Sequence, residues 1–336
     1  MKISELGEFG LICLLADIIN KSKDAKNASW QKLIVGIGDD SAAWQCRGPI
    51  QLATTDSLVQ DVHFDLSFTS WEDLGWKAMA ANLSDIAAMG GSPGYALISL
   101  ALPGELDTDG IARLYHGMVD IANLFGVAIA GGNIAASDKV NITITIFGSL
   151  KGKAMLLRSA AMPGDQVAVT GYPGLSAAGL RMLQQGLQFD SETDKLFSLA
   201  YRRPTPKVEV GQALLRHGVR AAIDISDGLI GDLTHICQAS KVGATLNENL
   251  LPVHPAIKAS FKSDWQQLVL SGGEDYELLF TASSKAMARI KKTVSCPVTV
   301  IGEITEQLPG QVTLLDAAGK SNPWKQAGWE HFKSKL

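Results

Sequence analysis

The sequence predicts a protein of two domains with α/β or α+β layers, and three observations support this. The chain has 336 residues, more than one typical domain. Helical and strand-like periodicities alternate in both halves, which is typical of layered α/β and α+β folds. A Gly- and Lys-rich segment, GSLKGKAMLLR, separates the halves at 148–158. We therefore place the domains at 1–150 and 151–336.

The chain begins with a predicted amphipathic helix. Its apolar residues recur at helical spacing: Leu6, Phe9, Ile12, Leu15 and Ile19. Glu5 and Glu8 interrupt this stretch, which argues against a signal peptide.

The rest of the first half alternates strands and helices. Strands are predicted at 32–37, 51–55, 95–102, 127–130 and 140–147. Helices are predicted at 71–89 and from the N-cap Asp107 to Phe125, where Gly126 ends the helix. In the strand at 140–147, apolar residues alternate with Asn141, Thr143 and Thr145, so one face is apolar and the other polar.

The second half mixes strands, at 166–170, 222–225, 276–281, 297–303 and 311–315, with helices. One helix has a clear start signal, with Thr205 as the cap and Pro206 at its first position. The glycine pairs at 90–91, 131–132 and 272–273 predict tight turns. AAGKS at 317–321 resembles the end of a P-loop, but Leu314 occupies the place of its first glycine. We therefore interpret AAGKS as a turn between strands.

Composition excludes several classes of partner and site. The net charge is −4, with no broad basic field for a nucleic acid. No apolar run reaches the roughly 20 residues of a membrane span. The four cysteines are far apart in sequence, which predicts buried free thiols in a reducing cytoplasm: Cys13, Cys46, Cys237 and Cys296.

Acidic residues recur beside Gly, Ser and Thr at the ends of predicted strands. They are Asp39 and Asp40 in GIGDD, Asp56 in TTDS, Asp85 in NLSD, Asp224 and Asp227 in DISDG, and Glu274 and Asp275 in GGED. Carboxylates that converge on one crevice repel each other unless cations lie among them. With no Cys or His cluster, these oxygens favour Mg²⁺, Mn²⁺ or Ca²⁺ over zinc. The pattern suggests a nucleoside triphosphate held through metal, although GDD alone is also typical of a simple turn.

Taken in order, several segments resemble the thiamine-monophosphate kinase family of the aminoimidazole-ribonucleotide-synthetase-like superfamily. They are GEFGLI, GIGDDSA, TTDSLVQDVHF, KAMAANLSDIAAMGGSP, LYHGM, AIDISDGL, SGGEDYELLF and GWEHF, and they span nearly the whole chain. NLSDIAAMG and DISDGL recur across the superfamily. VHF after TTD, SGGEDYEL and the terminal HF narrow the resemblance to this family.

The resemblance implies ATP-dependent phosphorylation of thiamine monophosphate to thiamine diphosphate, assisted by several Mg²⁺ ions. It implies a cytoplasmic homodimer whose N-terminal α/β domains share a sheet, each followed by a C-terminal α+β domain. It also implies the site residues, here listed by role. Metal positions are Asp40, Thr54, Thr55, Asp56, Asp85, Asp224 and Asp227. ATP-contacting positions are Tyr115, Gly131, Gly132, Arg158 and Ser226. Substrate positions are His63, Glu274 and Trp329, and the residues implied in catalysis are Asp40, Asp227 and Arg158.

One segment departs from the family pattern. GGNIAAS stands where GGDT is common, so Asn133 occupies a metal-binding aspartate's place. An amide oxygen still coordinates a hard cation, but one negative charge is lost. Two interpretations stay open, a weakened metal site and a loss of activity. The wider alternatives are another ATP-dependent transferase of the superfamily and a non-catalytic binder of nucleotide or thiamine phosphate.

Overall fold

The computed structural model describes residues 1–336 except 25, 36, 38–41, 47, 317, 323 and 325–336, and only the backbone of residues 8, 9, 43 and 322. The chain divides into two compact units. Unit 1 comprises Met1–Ile86 and Gly91–Lys153, and unit 2 comprises Ala87–Gly90 and Ala154–Leu336. Each unit combines helices with a sheet, so the predicted mixed α/β and α+β class is confirmed.

Unit 1 is built on a four-stranded sheet. Its elements, with the two-stranded sheet β1–β2, are α1 (Ile3–Lys21), α2 (Ala28–Lys32), β1 (Leu33–Val35), β2 (Ala43–Trp44), β3 (Ile50–Val59), α3 (Trp71–Ala88), β4 (Ser92–Leu102), α4 (Thr108–Leu124), β5 (Ala128–Ala136) and β6 (Asn141–Leu150). The strand order is β3-β6-β4-β5. β4 and β5 are parallel, and the other two pairings are antiparallel.

The alternation predicted for β6 is confirmed. Ile142, Ile144 and Ile146 are at most 1 % exposed and lie in the core with residues of α1, α3 and α4. The opposite face is polar. There the Thr145 hydroxyl donates to that of Thr55 at 3.0 Å, and Ser57 and Thr143 share a 2.7 Å hydrogen bond.

Two details of the unit 1 helices differ from the sequence-based expectation. α1 is broken at Gly7, whose φ is 74°. Its buried residues are Leu11, Leu15, Ile18 and Ile19, while Leu6 and Ile12 are half-buried. Asp107 precedes α4 as predicted, but its carboxylate makes no cap hydrogen bond. It lies 3.6 Å from the Met1 amino group instead.

The predicted turn at Gly131–Gly132 is wrong, because β5 continues through both glycines to Ala136. Gly132 lies directly against its parallel neighbour β4. A Cβ atom there would be 1.9 Å from the Ile98 carbonyl oxygen. Glycine at this position therefore permits close strand pairing rather than a reversal of the chain.

Unit 2 contains a seven-stranded sheet in the order β13-β12-β9-β11-β7-β10-β8. Only the β9–β12 pairing is parallel. Its elements are two 3₁₀ turns (Arg158–Ala160 and Glu248–Leu250) with β7 (Gln166–Thr170), α5 (Leu175–Gln185), α6 (Ser191–Arg202), α7 (Val208–Arg216), β8 (Ala221–Asp224), α8 (Leu229–Ser240), β9 (Gly243–Asn247), α9 (Pro255–Ser260), α10 (Trp265–Ser271), β10 (Leu278–Ala282), α11 (Ser284–Thr293), β11 (Val298–Thr305), β12 (Val312–Leu315) and β13 (Ser321–Asn322).

The predicted helix start at Thr205 and Pro206 is wrong, because α7 begins at Val208. Lys207, at the N-cap position, has a non-helical backbone with φ −92° and ψ 46°. The Lys207 carbonyl accepts the first helical hydrogen bond, from the Gly211 N–H at 2.9 Å, and the Lys207 ammonium lies 3.1 Å from the Glu277 carboxylate. The turn predicted from AAGKS is confirmed, since β12 and β13 pair antiparallel on either side of it.

All four cysteines are free. Cys237 is buried and Cys296 is half-buried, but Cys13 and Cys46 are exposed, contrary to the predicted burial. Cys13 lies on the exposed face of α1, whereas Leu11 and Leu15, two residues before and after it, are buried. Within the described ranges of the chain, no helix has both the length and the apolar character needed to cross a membrane.

Candidate active site

In unit 1, β3 and α3 bring three of the predicted metal positions into one hydrogen-bonded group. The Thr54 hydroxyl donates to Oδ2 of Asp85 at 2.5 Å. Two residues further along β3, the backbone N–H of Asp56 donates to Oδ1 of Asn82 at 3.0 Å. Asn82, 1 % exposed, precedes Asp85 by one helical turn. The strand and the helix are therefore held together at the acids themselves.

Thr55 is not part of this group. Successive side chains of a strand point to opposite faces, and the Thr55 hydroxyl pairs with Thr145 on the polar face of the sheet. The Thr55 side chain therefore lies on the face opposite to that of Thr54 and Asp56, and its role in metal binding stays a prediction.

The other predicted positions of unit 1 are more dispersed. His63 is half-buried after β3, and its Nδ1 accepts a 3.0 Å hydrogen bond from the Val59 N–H. That bond assigns the proton of the neutral ring to Nε2. Tyr115 lies in the apolar core on α4, and burial raises the pKa of its phenol. Asn133 is exposed on the edge strand β5, beside Ser99 of β4.

In unit 2, the segment DISDG forms the turn from β8 into α8. Asp224 ends β8 and is 2 % exposed, while Ser226 and Asp227 are half-buried. Gly228 precedes the helix with φ 120°, and a Cβ atom there would lie 2.8 Å from the Ser271 backbone. The turn therefore requires glycine at its last position.

The loop GGEDYE is joined to this turn by backbone hydrogen bonds. Glu274 N–H donates to the Ser226 carbonyl at 2.8 Å, and Tyr276 N–H donates to the Ile225 carbonyl at 2.9 Å. In return, Ile225 N–H donates to the Glu277 carbonyl at 2.8 Å. Glu274, the predicted substrate position, is thereby held against DISDG, which carries predicted metal and nucleotide positions.

Two residues of this loop have an unusual backbone. Glu274 has φ 63° and Tyr276 has φ 51°, a region that non-glycine residues seldom adopt. At Gly273, a Cβ atom would lie 2.4 Å from the Ser226 carbonyl oxygen. Strain of this kind persists where the surrounding structure enforces it, and it concentrates at functional sites.

Three acidic side chains that sequence reasoning did not assign to the site support these two loops. Asp232 accepts hydrogen bonds from the backbone of the DISDG turn. Asp275 accepts from the N–H groups of Gly174 and Ser176 at the start of α5. Glu277 pairs with Lys207. The signal for Asp232 was available, since an acid in a helix's first turn is typical of N-terminal capping.

Burial and charge shift the pKa values of two of these acids. Burial, together with repulsion by Asp224 and Asp227, raises the pKa of Asp232 well above its usual range. Burial also raises the pKa of Asp275 to about 8, although its two backbone hydrogen bonds oppose the shift.

Three predicted residues remain. Arg158 is exposed in a 3₁₀ turn, where its carbonyl accepts a 2.8 Å hydrogen bond from the Ser240 hydroxyl. Asp40 and Trp329 lie outside the described residues. No structural statement about these two follows, and their roles stay predictions.

Comparisons with known proteins follow the same division of the chain. The model of the AIR synthase related protein N-terminal domain matches residues 38–150, and that of the C-terminal domain matches residues 162–314. The thiamine-monophosphate kinase of Salmonella typhimurium is 38 % identical over 333 residues, covering 97 % of this chain and 98 % of the relative. The chain belongs to the thiamine-monophosphate kinase family.

Solved structures of thiamine-monophosphate kinases share the fold. The enzyme of Stenotrophomonas maltophilia has a TM-score of 0.81 at 33 % identity, covering 92 % of this chain and 97 % of its own. The structure of AaThiL complexed with AMPPCP and TMP has a TM-score of 0.77 at 32 % identity, covering 99 % of both chains. The resemblance noted in the sequence is therefore confirmed.

The donor atoms of both units suit the Mg²⁺ expected for this kinase family. A hydroxyl oxygen comes from Thr54. Carboxylate oxygens come from Asp56 and Asp85 in unit 1 and from Asp224 and Asp227 in unit 2. Such hard ligands match Mg²⁺. One nitrogen donor lies nearby, because the ligand atoms of Asp227, Asp232 and the exposed His235 are within 4.8 Å of one another.

Proposed function

We propose that this chain transfers the γ-phosphoryl group of ATP to thiamine monophosphate, which yields thiamine diphosphate. The observation that carries the proposal is the pairing of the DISDG turn with the GGEDYE loop. The Glu274 N–H donates to the Ser226 carbonyl, and this bond supports the assignment of Glu274 to the substrate and of Ser226 to the nucleotide. The similarity to AaThiL, which was solved with both AMPPCP and TMP, supports the same assignment.

Mg²⁺ is the proposed metal. In unit 1, Asp40, Thr54, Asp56 and Asp85 would hold Mg²⁺, with Asn133 as a neutral additional ligand. In unit 2, Asp224 and Asp227 would hold Mg²⁺. When bound, Mg²⁺ neutralises the charge of the phosphate oxygens during transfer.

The acceptor needs little help from a base. A phosphate oxygen of thiamine monophosphate is already anionic near neutral pH, because its second pKa is about 6. The residues proposed to act in catalysis therefore position and neutralise rather than remove a proton. Asp40 and Asp227 hold metal, and Arg158 offsets negative charge on the transferred group.

The remaining assignments follow from ligand chemistry. Glu274 and His63 supply polar contacts for a ligand with an aminopyrimidine and a cationic thiazolium, and Trp329 would stack on the cationic ring. Tyr115, Gly131, Gly132 and Ser226 are the other nucleotide positions. Because Tyr115 is only 5 % exposed, its contact would need to be made by the edge of its ring or by its backbone.

We also propose a homodimer in the cytoplasm. The polar face of the four-stranded sheet, formed in part by Thr55, Ser57, Thr143 and Thr145, supports the dimer, since its residues on β6 are half-buried and its hydroxyls are paired. Four free cysteines fit a reducing compartment. Sedimentation velocity of the purified chain tests the dimer.

A coupled assay of ATP consumption, with and without thiamine monophosphate, tests the proposed reaction. We expect ADP release that depends on thiamine monophosphate, with stoichiometric thiamine diphosphate detected by chromatography. Free thiamine in place of the monophosphate serves as the control for an acceptor that lacks phosphate. ADP release that ignores the acceptor would contradict the kinase assignment, and no release at all would favour a non-catalytic binding protein.

A further inference from the structure

One carboxylate oxygen organises the turn between β8 and α8. Oδ2 of Asp232 accepts hydrogen bonds of 3.1, 3.2 and 3.1 Å from three consecutive backbone N–H groups, those of Ser226, Asp227 and Gly228. Asp232 is 1 % exposed. A single buried anion thus fixes the backbone from which the Asp227 side chain departs.

This arrangement also decides which ligand charge the turn attracts. Free N–H groups at the start of a helix attract anions, phosphate included. In the turn that leads into α8, Asp232 already occupies the N–H groups of residues 226–228, and Asp224 and Asp227 add negative charge next to it. The turn is therefore suited to a cation rather than to direct contact with phosphate.

We propose that Asp232 is a positioning residue, which holds residues 225–228 in the conformation where Asp224 and Asp227 accept a divalent cation and which keeps the N–H groups of the turn from phosphate. Its role in turnover rests on the proposed function, whereas its role in metal binding can be measured without catalysis. Asp232 acts through the turn and is not assigned a contact with substrate.

Two variants and a matched control test the proposal. Asp232→Asn keeps the shape and an acceptor oxygen but removes the charge, and Asp232→Ala frees all three N–H groups. The control is Asp190→Asn, because Asp190 also accepts two backbone hydrogen bonds at a helix start, from Glu192 and Thr193 at 3.1 and 3.0 Å. Each full-length variant is titrated with Mn²⁺ alone and followed by electron paramagnetic resonance. The Mg²⁺ needed for half-maximal turnover is then measured at saturating ATP.

Loss of the residue that orients a metal ligand typically costs about 10–100-fold in metal affinity or activity. We expect a loss of that size in Mn²⁺ affinity for Asp232→Ala, a smaller one for Asp232→Asn, and none for the control. The Mg²⁺ requirement should rise in the same order, while the KM for thiamine monophosphate changes little.

Wild-type Mn²⁺ affinity in a folded Asp232→Ala variant would overturn the proposal. Loss of cooperative thermal unfolding in both variants would overturn it too, because Asp232 would then be needed for folding rather than for metal. A wild-type chain without turnover would contradict only the proposed function, and the Mn²⁺ titration would still decide this inference.

Discussion

Thr54 on β3 and Asp85 on α3 are joined by a 2.5 Å hydrogen bond from hydroxyl to carboxylate. The two residues are 31 positions apart in the chain, and both were assigned to the metal site from the sequence. The bond orients the carboxylate on its helix and lowers the freedom it would lose on binding a cation. The carboxylate of Asp85 is thus held in place by a residue of the neighbouring strand.

Replacing Thr54 with valine keeps the side-chain shape and removes the donor. We expect a loss of about 1.5–3 kcal/mol in the free energy of unfolding, the range for a hydrogen bond to a charged group, together with a lower turnover number. Denaturant unfolding and the coupled assay measure both effects. Ser57→Ala is the matched control, since it breaks a hydroxyl pair on the opposite face of the same strand. Equal loss of turnover in both variants would mean that strand β3, and not the bond to Asp85, matters.

Asp227→Ala should abolish phosphoryl transfer while the chain stays folded. Asp227 is one of the charges that raise the pKa of Asp232, so its removal relieves repulsion. The melting temperature should therefore hold or rise. Differential scanning calorimetry and single-turnover assays make the measurement. Near-normal turnover would remove Asp227 from the metal site.

Asp275 should make the protein less stable as the pH rises. The unfolded chain loses this proton near pH 3.8, but the folded chain loses it only near pH 8. Between these values the folded state binds one proton more, so the free energy of unfolding falls with pH, by at most about 1.4 kcal/mol per pH unit. The stabilisation that comes from protonation of Asp275 is complete below pH 3.8 and lost above pH 8.

Unfolding of wild type and Asp275→Asn, compared from pH 5 to 9, measures this dependence. The free energy of unfolding of Asp275→Asn should increase steadily relative to that of wild type as the pH rises. Asp190→Asn is the contrasting control, because hydrogen bonds to Thr193 lower the pKa of Asp190 and its effect appears only at acidic pH. Parallel curves for wild type and Asp275→Asn would show that the buried carboxyl is already ionised.

Asn133→Asp should lower the Mg²⁺ concentration for half-maximal activity, because an anionic ligand attracts a divalent ion more strongly than an amide does. Asn133 is exposed on β5, so the added charge needs no buried partner. Turnover against free Mg²⁺ at saturating ATP is the measurement. Asn123→Asp, on the outside of α4, adds the same charge elsewhere. A half-maximal Mg²⁺ concentration equal to that of wild type would show that β5 does not approach the metals.

Trp329→Ala should weaken the binding of thiamine monophosphate far more than the binding of ATP. Loss of stacking on a cationic ring costs about 0.5–2 kcal/mol, roughly a two- to thirtyfold change in Kd. Calorimetric titrations with each ligand test this. Trp324→Ala is the comparison, because Trp324 packs on the unit 2 core and its indole N–H donates to the Ser271 hydroxyl at 2.9 Å. Equal weakening of both ligands by Trp329→Ala would make Trp329 a packing residue.

The sequence alone determined the layered fold class, most of the strands, and the family. These depend on local periodicity and on short segments such as DISDG, which carry their information within a few residues. The alternation of β6 shows this, since the face of each side chain follows from a period of two.

Tertiary structure decided what local signals could not. α7 begins at Val208, two residues after the proline of its Thr-Pro signal, and Lys207 before it pairs with the distant Glu277. Gly132 continues a strand in which the Ile98 carbonyl leaves no room for a Cβ atom. Asp275 was recognised as a support only when its hydrogen-bond partners, the N–H groups of Gly174 and Ser176, were known. An acid's role depends on which backbone groups reach it and on how much water it loses, and distant parts of the chain set both.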